Sequence, residues 1–240
     1  MVANNTEEKE LTEVISTGTE TIDATLGGGI PYRTLMLIEG QSAAGKSTLS
    51  QQLLWGALES GEGAALYTTE QTTQSFLRQL ASLGLDVSDY FLLNHLQIHE
   101  VATRQNDMTP AEIFGRLITH IKDNVESRVI VLDSLTTFIS EEGGEQIQEF
   151  FVTCKALCDK GKVIICTVHS DAFDPGILTR IRSVCDAHLR LKVERAGNRL
   201  QKTIEVAKIR GADVATGNIS GFEVDPGLGI RIVPISKARA

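Results

Sequence analysis

Cysteine, proline, tryptophan and long apolar runs are all scarce in this sequence. The four cysteines, Cys154, Cys158, Cys166 and Cys185, form no C-x-x-C pair, and no histidine stands at ligand spacing beside Cys154 and Cys158. Neither a disulfide scaffold nor a zinc site is read from them, and thiols packed as small hydrophobes in a reducing compartment are expected. Five prolines against 21 glycines, with 42% hydrophobic and 22% charged residues, exclude a mainly disordered chain. No apolar run approaches the ~18 residues of a membrane span. The longest, 35–38, 129–132 and 163–166, have the length of buried strands. Basic residues are outnumbered by acidic ones, 23 to 31, for a net charge of −8. Such a chain repels phosphodiester backbones unless a local basic groove overrides the field, so nucleic acid is not an expected partner. The glutamate-rich start, residues 1–13, has no apolar core and is the reverse of a secretory signal. A cytoplasmic protein with no direct membrane insertion is expected. At 240 residues, burial on folding reaches roughly 70% of the extended surface, enough for a core that needs no staples.

Short β-rich apolar runs alternate with segments of helical period, the signature of a parallel sheet covered by helices. Strands are predicted at 35–39, 64–69, 96–101, 129–133 and 163–168, and helices at 46–60, 72–83, 110–125, 145–159 and 175–184. Gly61 and Gly161 stop helices, and Thr109 caps one that begins with Pro110. After Asp186 the period changes to two. Leu189, Leu191 and Val193 alternate with basic residues, Ala196-Gly197-Asn198 turns the chain into 202–209, and Pro226-Gly227 separates strands 222–224 and 230–233. The fold class is α/β, a mainly parallel sheet flanked by helices with antiparallel C-terminal strands. One domain is expected over 14–240, preceded by a flexible segment over 1–13.

Gly40-Gln41-Ser42-Ala43-Ala44-Gly45-Lys46-Ser47 fits G-x-x-x-x-G-K-[ST], after a predicted strand and at the start of a predicted helix. This composition would produce the motif by chance in roughly one chain in a hundred. Glycines let backbone N–H groups fold around a β-phosphate, and the helix N-terminus adds partial positive charge. Lys46 reaches the β/γ oxygens and Ser47 ligates Mg²⁺. ATP and Mg²⁺ are therefore the expected cofactors, held by residues 40–47 and Thr48. The metal also needs a carboxylate at the end of another buried strand, and Val129-Ile130-Val131-Leu132-Asp133 supplies Asp133.

Ser134 follows Asp133, so a water-activating carboxylate must come from elsewhere. The run 64–69 is followed by Glu70 on the C-terminal edge of the sheet, where ligands of open α/β sheets bind. Glu70 is the candidate general base, with Lys46 the other catalytic candidate; the competing reading of Glu70 is a first-turn acid favoured by the helix dipole. His169 follows the strand 163–168 at the same edge and reads either as a γ-phosphate sensor or as a plain surface residue. His95, His99, His120 and His188 form no ligand spacing. The run Glu141-Glu142-Gly143-Gly144-Glu145 reads as a solvated loop before a helix.

Ile15-Ser16-Thr17-Gly18, Asp23 and Leu26-Gly27-Gly28-Gly29-Ile30-Pro31, followed by the phosphate loop, resemble the opening segment of the RecA-like P-loop ATPases of the KaiC class. The resemblance covers nearly the whole chain. Thr68-Thr69-Glu70-Gln71-Thr72 is similar to that class's T-x-E-E-T segment, which implies a catalytic role for Glu70; Gln71 departs from it. Lys208-Ile209-Arg210-Gly211 is similar to its K-x-R-G segment, which implies that Lys208 and Arg210 serve the ATP of the next subunit of a ring, six-membered in the simplest reading. Ser134-Leu135, the run 83–92 and Asp225-Pro226-Gly227-Leu228-Gly229 look most like the FlaH family, the ATP-binding accessory proteins of the archaellum motor. That resemblance implies a nucleotide-dependent regulator with weak turnover, docked on the motor ATPase and scaffold proteins and so associated with the membrane only through that complex.

Three functions compete: an ATP-binding switch or assembly factor, an active ATPase or kinase of the KaiC class, and a recombinase-type DNA binder. The last fares worst. The segments after Asp133 and His169 are acidic where a DNA filament needs basic side chains.

Overall fold

The computed structural model describes residues 14–101, 109–124, 126–138, 144–196, 199–212 and 217–235. The chain opens with β1 (Val14–Ile15), α1 (Glu20–Leu26) and β2 (Ile30–Pro31). It continues through β3 (Leu35–Gly40), α2 (Lys46–Glu59), β4 (Ala64–Thr68), α3 (Thr73–Ser82), α4 (Ser88–Leu92), β5 (Leu96–Glu100), α5 (Pro110–Asn124) and β6 (Val129–Asp133). A 3-10 turn over Leu135–Phe138 leads to α6 (Gly144–Asp159), β7 (Val163–His169) and α7 (Pro175–Val184). The last strands are β8 (Ala187–Ala196), β9 (Arg199–Ile209), β10 (Ile219–Asp225) and β11 (Gly229–Val233).

Among the described residues nine strands form one sheet in the order β11-β10-β9-β8-β3-β7-β6-β4-β5. From β8 to β5 the pairing is parallel, and from β8 outward to β11 it is antiparallel. The expected α/β architecture is the one observed. Strand alternation divides the interior in two. Met36, Ile38, Leu66, Val131 and Ile165 face a core with Leu49, Leu53 and Leu54 of α2 and Phe76 of α3. Leu35, Leu37, Ile130, Leu132 and Ile164 face the other, with Phe114 of α5, Phe151 of α6 and Ile181 of α7. All four cysteines are free and buried in that second core. Burial pushes the Cys158 and Cys185 thiols up to about 12, which makes them packing groups rather than nucleophiles.

The predicted helix ends hold. Gly61 and Gly161 adopt left-handed backbone and their N–H groups close the last turns of α2 and α6. Thr109 Oγ1 accepts from Glu112 N–H while Glu112 accepts from Thr109 N–H, a capping box. The sequence reading missed the five-residue α4, whose turn is too short to carry a period, and the two-residue pair β1–β2. The predicted flexible start over 1–13, the turn residues Gly197 and Asn198, and 141–143 of the acidic loop lie outside the described residues. Among the described residues no helix is long and apolar enough to cross a membrane.

The mixed character of α2 sets the site. Ser50, Gln51 and Gln52 are as buried as its leucines, because the helix is enclosed by the sheet, the N-terminal segment and the C-terminal strands. The Gln52 amide donates to Thr17 O and Thr19 Oγ1 and accepts from Ile230 N–H. That satisfies a buried amide while tying both ends of the chain to the helix that begins at Lys46.

Candidate nucleotide-binding site

The buried strand β3 carries the chain to the C-terminal edge of the sheet, and six residues later α2 begins. Two positions in between require glycine. A Cβ on Gly40 would stand 2.6 Å from Leu191 O. Gly45, at φ 96, is left-handed, and its Cβ would stand 3.2 Å from the Phe222 ring. Ala43 shares the left-handed conformation, Gln41, Ser42 and Ala43 are exposed, and Ala44 is buried beneath them. The result is a loop around the N-terminus of a 14-residue helix, where backbone N–H groups and the helix dipole favour an anion. Lys46 is only 6% exposed and its Nζ donates to Gln41 O at 2.8 Å, which holds the ammonium across the loop. Thr48 follows, half-buried in the first turn of α2.

Asp133 ends β6 two strands away and meets Ser47. Ser47 Oγ donates to Asp133 Oδ1 at 3.1 Å, and Thr167 Oγ1 of β7 donates to the same oxygen at 2.6 Å. Burial pushes the Asp133 carboxyl up despite those two bonds, and burial pushes the Lys46 ammonium down despite Asp133 and Glu70 nearby. A hydroxyl and a carboxylate beside a helix N-terminus form an oxygen donor set that fits Mg²⁺. The sequence reading missed Thr167. Its signal is a lone hydroxyl inside the apolar strand β7, directed by strand pairing at the end of β6.

Glu70 lies just beyond β4 and is exposed. Its charge acts on Lys46, Asp133 and His169, which places the carboxylate on the loop's side of the sheet. The backbone N–H groups of Glu70 and Gln71 both donate to Thr68 Oγ1 at 3.3 Å, fixing the turn. Gln71 is engaged by α3: its amide donates to Gln79 of α3, and Gln79 donates to Gln51 of α2. His169 is the last residue of β7, pairs with Gly40 in register and donates its N–H to Thr136 Oγ1 at 3.0 Å. Burial and the Lys46 charge lower its imidazole pKa, leaving a neutral ring at pH 7.

Lys208 and Arg210 are not part of this cluster. Gly40 pairs with Leu191, and Leu191 pairs with Ile204, so β9 carries Lys208 four residues, roughly 13 Å, toward the opposite end of the sheet. Strict alternation along β9 would put Lys208 on the face of Ile204 and Val206. A register shift between His188 and Leu189 skips Ala207, so Ile209 takes that buried face instead. Lys208 Nζ is spent on the carbonyls of Arg182, Ser183 and Cys185 at the end of α7. Arg210 is 60% exposed and pairs with Asp186 at 3.3 Å.

Comparison with known proteins agrees with this arrangement. The family model for the KaiC ATPases matches residues 15–237. The archaeal flagellar ATP-binding protein FlaH of Sulfolobus acidocaldarius is 35% identical over 231 residues, covering 95% of this chain and 100% of the relative. The protein of the same description from Methanocaldococcus jannaschii is 27% identical over 212 residues, covering 88% of this chain and 91% of the relative. The crystal structure of the flagellar accessory protein FlaH from the latter organism superposes with a TM-score of 0.77 at 24% identity, covering 93% of this chain and 100% of that one, a likeness of fold. The phosphate loop, its Asp133 partner and the nine-stranded sheet are thus those of a P-loop ATPase, and the chain belongs to the KaiC family and, within it, to the FlaH family.

Proposed function

We propose that this chain binds Mg-ATP as a nucleotide-dependent switch of the archaellum, acting on the motor ATPase within its scaffold and turning ATP over slowly at most. The observation that carries the nucleotide reading is the bond from Ser47 to Asp133 beside a buried Lys46 at a helix N-terminus. Relatives named as archaeal flagellar ATP-binding proteins support the setting. In this reading residues 40–47 wrap the phosphates with backbone N–H groups, Lys46 holds the β/γ oxygens, and Ser47 and Asp133 hold Mg²⁺. When bound, the metal screens phosphate charge. Slow turnover follows from Gln71, which engages Gln79 and leaves Glu70 as the one carboxylate of that turn facing the loop. His169, neutral and paired in register with the first loop residue, is placed to report γ-phosphate occupancy along β7. One unbroken sheet from β3 to β11 supports a single domain over 14–240, working in the cytoplasm and reaching the membrane only through its partners.

An active ATPase or kinase of the KaiC class is the second reading, favoured by the effect of the Glu70 charge on Lys46 and His169. One experiment separates them: equilibrium binding of Mg-ATP and single-turnover phosphate release, on wild type, Lys46→Ala and Glu70→Gln. The switch reading expects tight binding by wild type, none by Lys46→Ala, and release by wild type no faster than by Glu70→Gln. A fall of ~10²-fold in Glu70→Gln with affinity kept would establish a general base and the enzyme reading. Unchanged affinity in Lys46→Ala would overturn the nucleotide site.

A further inference from the structure

The two ends of the phosphate loop face different chemistry. Toward β7, β6 and β4 stand Asp133, Glu70, Thr167 and His169, the groups suited to a metal and a terminal phosphate. Toward β8, β9 and β10 stand Leu191 beneath Gly40 and the Phe222 ring against Gly45. A nucleotide whose γ-phosphate lies at the first side must extend its α-phosphate and nucleoside toward the second.

On that second side is a cation outside the motif. Lys202 of β9 pairs in register with Phe222 of β10 and with Val193 of β8. Its Nζ lies 4.0 Å from the point where a Cβ on Gly45 would be. Neighbouring cations are paired: Arg190 and Lys192 share Glu205, and Arg231 binds Glu223 and Asp225. Among the described residues the Lys202 side chain makes no hydrogen bond or ion pair, although the residue is half-buried. An ammonium held beside the positive end of a helix is repelled by it unless an anion lies between them. The Phe222 ring packs on the loop at Gly45, beside the lysine's strand.

We infer that Lys202 is a second phosphate-binding lysine of this site, donating to the α-phosphate of the nucleotide bound in the same subunit, an inference that rests on the nucleotide reading above. Its charge is supplied by the C-terminal strands, at the start of α2. Because ATP and ADP share the α-phosphate, the contact serves both alike, in contrast to groups at the γ end.

The test is calorimetric titration of the full chain with Mg-ATP and Mg-ADP, on wild type, Lys202→Met, Lys202→Arg and Lys46→Ala, with melting of each unliganded protein. Lys202→Met should weaken both nucleotides by about tenfold or more, the value of a charge-assisted bond, and leave their ratio unchanged. Lys202→Arg should restore most of the affinity, and unliganded melting of Lys202→Met should not fall. Three results would overturn the inference: wild-type affinity in Lys202→Met; loss of ATP affinity alone, which would put the lysine on the γ-phosphate; or equal loss in Met and Arg variants with lowered melting, which would make its role packing. If Lys46→Ala loses binding while Lys202→Met keeps it, only this inference falls; if wild type binds neither nucleotide, both fall together.

Discussion

Asp133 is the residue on which the site turns, because one carboxylate oxygen accepts from both Ser47 and Thr167 and the group is almost wholly buried. Replacing it by Asn keeps the volume and one acceptor but removes the charge a metal needs. Asp133→Asn should therefore weaken nucleotide binding in Mg²⁺ far more than in EDTA, measured by titration in the two buffers; equal losses would make Asp133 a structural cap. Glu39, one residue before the loop, carries a different role. Arg182 donates to it twice, at 2.6 and 2.9 Å, and His188 Nε2 lies 2.9 Å away. Burial pushes the carboxyl up, yet the bonds to His188 and Arg182 outweigh it and hold the pKa at about 2, against an ordinary 4.5. A depressed folded pKa contributes stability that is whole above 4.5 and is lost as pH falls through 2. Urea midpoints followed from pH 6 downward should fall more steeply for wild type than for Glu39→Gln across that window; parallel curves would mean that the pair contributes nothing.

At the scale of elements, α2 shows how a local preference is overruled by contact. Gly56 sits in its interior, where alanine would gain roughly 1 kcal/mol in helix propensity. A Cβ there would stand 2.1 Å from the Thr17 carbonyl carbon, a backbone atom held in place by Asp23, whose carboxylate accepts from Thr17 N–H and Ser16 Oγ. The Ser16-Thr17-Gly18 and Asp23 pattern is thus a clasp that lays the N-terminal segment on the phosphate-loop helix. Gly56→Ala should destabilise the protein by ~2 kcal/mol or more in chemical denaturation, the cost of overpacking a tight contact. A gain in stability would show that the segment does not press on α2 in solution. Strand β9 gives the second case, since its register shift moves Lys208 from the expected face to the one that closes α7. No periodicity in residues 202–209 announces that shift; it arises where β9 must pair with β8 while β8 also pairs with β3.

For the whole molecule, the length of the sheet sets the phosphate loop and Arg210 at opposite ends. The phosphate loop lies at the C-terminal edge of the parallel strands, and Arg210 lies at the other end, half free of Asp186 and unable to reach its own loop. We propose that this cation serves a neighbour's nucleotide in a head-to-tail ring, as arginines supplied in trans do. The competing account is a β-edge protected by basic side chains. Light scattering with and without a non-hydrolysable ATP analogue should show self-association of wild type, to a six-membered ring in the simplest case, and its loss in Arg210→Ala. Identical nucleotide dependence in the variant, or a monomer throughout the micromolar range, would sink the ring.

Sequence alone determined the features that depend on near neighbours. The phosphate loop, the strands at 35–39, 129–133 and 163–168, and the helix stops at Gly61 and Gly161 follow from side-chain periodicity and from backbone conformations that few residues adopt. The Asp133 carboxylate was legible too, because a buried strand ending in a charge has few uses beside a phosphate loop. Tertiary structure decided what depends on pairing across long separations: that Thr167 reaches Asp133, that Gln71 turns to α3, that Lys208 changes face and that Lys202 stands over Gly45. Each is set by which strands lie side by side and in what register, a balance of packing over the whole sheet that no short window of the chain contains.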